Sequence, residues 1–352
     1  MAYIFKFFRS WSAPDALFLN FLFKPIIGLS LFFCFLQVSL PAFAQYSADS
    51  VFVNQDKLFY FIFDNDATFK VDYYYTQGIG VIHFNPVFQK SIINKILLTS
   101  KNTGAEKFYG LAYKYDGFTP TNIRDPEIRI GDRPYASYMF LNQLAGSTHK
   151  IKKERITSSL DLGIIGPATG AGKFQRKIHE YLHHGIPQGW KYQIKTDLIL
   201  NYNVLYQKGI VHTKPLEIIG EAGGSLGTLY THATAGAMVR LGWMNSYFSD
   251  LGISNKTTRN QANLRKWQLY AFGRTQGRLV GYNATMQGGF LNANNVYTLE
   301  ASQISRTVLE SQTGLALIVK GLRLETAVNF ISPEFTNSRR HKWMHFNVGF
   351  AF

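Results

Sequence analysis

"KWMHFNVGFAF", residues 342–352, decides the fold. Met344, Phe346, Val348, Phe350 and Phe352 fall on one side of an extended chain, with His345, Asn347, Gly349 and Ala351 opposite them beside Trp343. Successive side chains of a strand point to opposite faces, so this period of two predicts a strand with one apolar and one small or polar face. What covers the apolar face separates two architectures. In a soluble sandwich it is the other sheet, with the polar face in solvent. In a membrane barrel it is lipid, with the polar face lining the lumen.

The alternation recurs upstream. In "DLILNYNVLYQ" (197–207) Leu198, Leu200, Tyr202, Val204 and Tyr206 oppose Asn201, Asn203 and Gln207. In "GLRLETAVNF" (321–330) Leu322, Leu324, Val328 and Phe330 oppose Arg323, Glu325 and Asn329. Candidate strands lie near 57–63, 73–84, 106–116, 135–145, 158–165, 194–207, 216–224, 233–244, 265–274, 277–289, 315–331 and 342–352. Aromatic residues make up 15% of the chain, 29 Phe and 20 Tyr among them, and the last strand ends on Phe352. Aromatic girdles and a closing strand of this kind predict an all-β, transmembrane outer-membrane antiparallel β-barrel of 12 strands. A secreted sandwich is the alternative, and it leaves so many exposed aromatics unexplained.

Residues 1–44 read as a cleaved export signal: Lys6, Arg9 and Lys24 precede the apolar run "PIIGLSLFFCFLQVSL", and "AFA" supplies a small-residue cleavage site. The run falls short of the ~20 residues of a spanning helix, so a retained anchor is the alternative. Residues 45–352 then form one barrel domain. The single cysteine, Cys34, lies in the leader, which excludes thiol nucleophiles, disulfides and zinc–cysteine sites from the rest. The formal charge of +15 suits anionic partners. For an exported chain these are phosphorylated glycolipids and lipid head groups rather than nucleic acid, and a monomer is expected.

One stretch breaks the period of two. In "GKFQRKIHEYLHH" (172–184) Phe174, Ile178, Tyr181 and Leu182 recur at helical spacing between the glycine-rich "GPATGAG" and "GIPQGW", predicting a short amphipathic helix on a rim loop. Gln175 and His179, four apart, project from one side of it. His179, like His183 and His184, reads equally well as a surface histidine.

A second candidate lies in "FDNDATFKVDYYYTQGIG" (63–80). Asn65 and Asp66 are adjacent, so a regular strand would send them to opposite faces, and the chain must bend or end there if both serve one site. A strand-terminating turn is the competing explanation. Thr76 shares a strand face with Gly78 and Gly80, leaving space beside its hydroxyl for a ligand or for a crowded corner. No GxSxG elbow, HExxH motif, P-loop or dinucleotide fingerprint is present.

Taken in order, "NDATFKVDYYYTQG" (65–78), "GDRPYASYMFLN" (131–142), "LGIIGPATGAGKFQRKIH" (162–179), "PQGW" (187–190) and the ending "SPEF…HFNVGFAF" resemble the LpxR-type lipid A 3'-O-deacylases of the Gram-negative outer membrane. The resemblance implies a twelve-stranded barrel and a calcium-dependent esterase that removes the 3'-linked acyloxyacyl group of lipid A. It places the family's catalytic Asn-Asp pair on Asn65 and Asp66, its threonine on Thr76, and its Gln-x-x-x-His on Gln175 and His179. His179 would then activate water, Asp66 would hold calcium or orient the base, and Asn65, Thr76 or the metal would stabilise the oxyanion. One position departs from the pattern. The family's glutamate six residues after the histidine is Gly185 here, with Glu180 and Asp197 as candidate substitutes. A non-catalytic glycolipid-binding barrel, a phospholipid esterase and a porin are the competing functions.

Overall fold

The computed structural model describes residues 52–69, 73–253 and 264–352; the expected signal at 1–44 lies outside them. The barrel unit takes in residues 51–180 and 185–352. Its strands are β1 (Phe52–Val53), β2 (Leu58–Asn65), β3 (Tyr74–Phe84), β4 (Glu106–Thr119), β5 (Ala136–His149), β6 (Glu154–Ile165), β7 (Asp197–His212), β8 (Leu216–Gly227), β9 (Tyr230–Trp243), β10 (Trp267–Asn283), β11 (Thr307–Val319), β12 (Leu322–Ile331) and β13 (His341–Ala351). From β2 to β13 each strand pairs antiparallel with the next, and β13 returns to β2, closing a ring of twelve. The two-residue β1, unforeseen in the sequence, lies parallel to the start of β4.

The predicted number of ring strands is right although two of the divisions between strands are misplaced. The stretches 265–274 and 277–289 fall on one strand, β10, which ends at Asn283, while 315–331 takes in the end of β11 and all of β12. Those two are joined by Lys320 and Gly321, both with positive φ (48° and 92°), the conformation that a tight hairpin needs at its two turn residues.

Alternation sorts the wall as predicted. Leu269, Leu279, Leu315, Leu324, Phe346 and Phe350 point outward and are exposed. Arg323 and Glu325, the charged pair opposite the leucines, point inward and bond each other, and Arg323 also donates to the Tyr270 hydroxyl at 2.9 Å. Arg240 pairs with Glu217 and Arg274 with Glu221, each at 2.6 Å. Inside, an ion pair is held in a polar enclosure; outside, an apolar band meets the medium, and only a bilayer makes both favourable.

Chain direction fixes where the loops gather. β2 ends and β3 begins at one rim, where the segments 120–135, 166–196, 284–306 and 332–340 also lie. The carboxyl-terminal end of β13 lies at the other. Segment 166–196 carries helix α1 (Ala171–Tyr181), the predicted rim helix, and 284–306 carries the single-turn α2 (Ala284–Gln287).

Candidate active site at the barrel rim

β2 stops at Asn65, and a 3-10 turn, Ala67–Phe69, follows. The adjacent polar pair therefore sits where the chain leaves the sheet, as two residues sharing one site require. Asn65 also builds the turn: its Oδ1 accepts the Ala67 N–H at 2.8 Å, and its Nδ2 donates to the Thr76 carbonyl at 3.0 Å across to β3. The turn-forming explanation thus holds together with the bend. Asp66 is 2% exposed.

Thr76 departs from expectation. Its strand slips register between Tyr75 and Gln77, so Tyr75 pairs with Phe118 and Gln77 with Gly117, leaving Thr76 as the inserted residue of a β-bulge. A bulge turns a side chain that alternation would place on one face to the other. Tyr75 consequently points into the lumen and its hydroxyl lies 3.1 Å from Asp64 of β2 and 3.0 Å from Asp116 of β4. Gly78 lies under it: a Cβ there would overlap the Tyr75 hydroxyl. Thr76 instead stands with Gln77 on the outer wall, its methyl beside the outward face of Gly117, and it does not share a face with Gly78 and Gly80.

The packed face of the helix is centred on a polar stripe, with the apolar residues at its flank. Ala171, Gln175 and His179, spaced four apart, form its buried stripe. Phe174 and Ile178, expected to pack, are half-buried. The stripe faces the outer wall of the barrel, where Ala171 and Trp190 cluster with Tyr115 and Tyr135 against Ile79, Tyr113 and Met139. Tyr115 links this cluster to the Thr76 bulge. It accepts the Gln77 amide at 3.1 Å and meets the Phe174 ring edge-on at 6.4 Å. Asn65 and Thr76 are thus joined directly, and Gln175 and His179 share a helix face one strand away, on the same side of the same rim.

Two bonds fix the chemistry that the helix presents. His179 Nδ1 lies 2.7 Å from the Gly185 carbonyl. A carbonyl only accepts, so Nδ1 carries the proton, and in the neutral ring Nε2 holds the lone pair. The Trp190 indole N–H donates to Gln175 Oε1 at 2.7 Å, which turns the amide NH2 away from the indole. Replacing Trp190 with Phe removes that donor. The buried carbonyl of Gln175 then loses its partner, at a cost of about 1–3 kcal/mol. Limited proteolysis should show faster cleavage within 166–196 while the barrel stays protected. Unchanged cleavage would deny the bond its anchoring role.

The donors present do not suit calcium, which takes six to eight oxygens and favours carboxylates. Asp66 is the single carboxylate of the candidate set. Glu180 is exposed. Asp197 spends its carboxylate on the N–H groups of Leu198, Leu291 and Asn292 at 2.6–2.9 Å. Among the described residues no group of three or more His, Cys, Asp or Glu side chains gathers as a metal site. Position 185 offers no side chain, and the guanidinium of Arg124 lies over it.

Sequence reasoning missed Trp190, Gln77, Tyr115 and Arg124. The first lies inside the quoted "PQGW", so its motif was visible and its role was not.

A closed antiparallel barrel, apolar outside and charged within, is an outer-membrane protein. A family model described as outer membrane protein LpxR matches residues 30–352, and the chain belongs to that family, the lipid A deacylases of the outer membrane. The solved structure of LpxR from Salmonella typhimurium superposes with a TM-score of 0.67 at 18% identity, covering 84% of this chain and 100% of that one. The beta domain of the Bordetella autotransporter Brka follows at a TM-score of 0.42 and 9% identity, with 85% and 99% covered. No curated protein matches the chain.

Proposed function

We propose that this protein is an esterase that removes the 3'-linked acyloxyacyl group of lipid A, with water activated by His179. The observation that carries the reading is the His179–Gly185 bond. It fixes the tautomer in which Nε2 can take a proton from water, on a helix face buried against the outer wall rather than turned into the lumen. A base on that wall meets a lipid in the plane of the bilayer, as an acyl ester requires. One water molecule gives a proton to Nε2 and its oxygen to the ester carbonyl carbon; the bond from that carbon to the sugar oxygen then breaks, the fatty acid leaves, and Nε2 returns the proton to the sugar oxygen. The amide NH2 of Gln175 and the Thr76 hydroxyl are the donors for the developing oxyanion. Lys173, Arg176 and Lys177 line the exposed side of α1 and suit a phosphorylated head group.

The test is mass spectrometry of lipid A and phospholipids from cells with and without the protein. Loss of a 3'-linked acyl group from lipid A alone supports the reading. Fatty acid released from phospholipids alone replaces it with a phospholipid esterase, and no release from either, with the barrel folded in the membrane, leaves a non-catalytic barrel.

A further inference from the structure

Gly185 and Arg124 are far apart in sequence and adjacent in space. A Cβ built on Gly185 would overlap Nε of Arg124, with Cζ at 2.7 Å and Cδ at 2.9 Å. The guanidinium therefore fills the volume that any side chain at 185 would enter. Its backbone is tethered there. Buried Ile123 accepts the Gln188 N–H at 2.9 Å and the Tyr135 hydroxyl at 3.1 Å, and the Arg124 N–H donates to Asn122 Oδ1 at 3.1 Å. The carbonyl of the same Gly185 accepts from His179 Nδ1. One glycine thus gives its carbonyl to the histidine and its empty side-chain position to an arginine.

The chemistry of the two groups explains the exchange. A divalent ion must be assembled from several oxygens, and among the described residues no cluster of carboxylates gathers for it. A guanidinium is charged at every working pH, needs no ligands and offers five N–H donors in a fixed fork. We infer that Arg124 supplies the positive charge of this rim site in place of calcium, so that the protein binds and deacylates its substrate without the metal. The inference rests on the esterase reading above. It predicts opposite fates for the two residues: the arginine is needed, and a carboxylate at 185 would first neutralise it.

The test uses the full chain folded in lipid vesicles, with two readouts: calcium binding by titration calorimetry, and lipid A deacylation with calcium or with chelator. Wild type is expected to bind no calcium at millimolar concentration and to deacylate equally in both conditions. Arg124→Ala should lose on the order of 10²-fold in rate, the size seen when one charge-stabilising donor is removed, and Arg124→Lys should recover part of it. The double change Gly185→Glu with Arg124→Ala should bind calcium and work only in its presence. Calcium binding by wild type, deacylation abolished by chelator, or full activity of Arg124→Ala in chelator would each overturn the inference while leaving the esterase reading intact. No deacylation under any condition removes both.

Discussion

Vesicles carrying His179→Ala are expected to deacylate lipid A about 10²–10⁴-fold more slowly than wild type, the usual share of a positioned general base. Alanine removes both the Nε2 lone pair and the Nδ1–H that donates to Gly185. The loop sits outside the β2–β13 ring, so barrel closure should persist, checked by the shift in gel mobility on heating. A folded variant with wild-type rate would remove His179 from the chemistry and the esterase reading with it.

The second large effect concerns the wall. Leu315 is 55% exposed near the middle of β11, beside Ala271 of β10 and Thr326 of β12. Leu315→Arg is expected to destabilise the barrel by about 2–4 kcal/mol, because a charge there meets hydrocarbon. Phe350, 46% exposed at the lower end of β13, should tolerate the same change at ~0–1 kcal/mol. Urea unfolding from vesicles measures both. Equal costs at the two positions would contradict a bilayer centred on the strands.

How much of this was legible in the sequence depends on the range of the forces involved. β13 was read within one residue at each end, because alternation is a local signal and the strand is regular. The hairpin at Lys320 and Gly321 was lost because "KG" is a weaker turn signal than Asn-Gly, so β11 and β12 read as one run. β10 is continuous from Trp267 to Asn283 where the reading broke it in two. At the rim, the end of the strand at Asn65 was legible because two adjacent side chains cannot share a strand face, and the common helix face of Gln175 and His179 because four residues make about one helical turn.

What escaped depends on tertiary structure. One inserted residue at Thr76 turns its side chain from one face to the other, and nothing in "YYYTQG" marks the slip. The burial of Gln175 and His179 was not legible, because helical spacing shows which residues share a face and not which medium that face meets. Here a polar stripe packs inward beside the barrel wall. Arg124 lies in a segment without periodicity, and only folding brings it to Gly185.

The closure of β13 on β2 also sets a time. Asn65 pairs in register with Met344, residues separated by most of the chain. Contacts of such sequence separation form slowly, and until this one forms β2 is an open edge. A chain still crossing the periplasm carries Asn65, Gln175 and His179 as scattered side chains, so the esterase activity proposed above would begin with membrane assembly and never precede it. The ring that gives the protein its stability is in this sense also its latch.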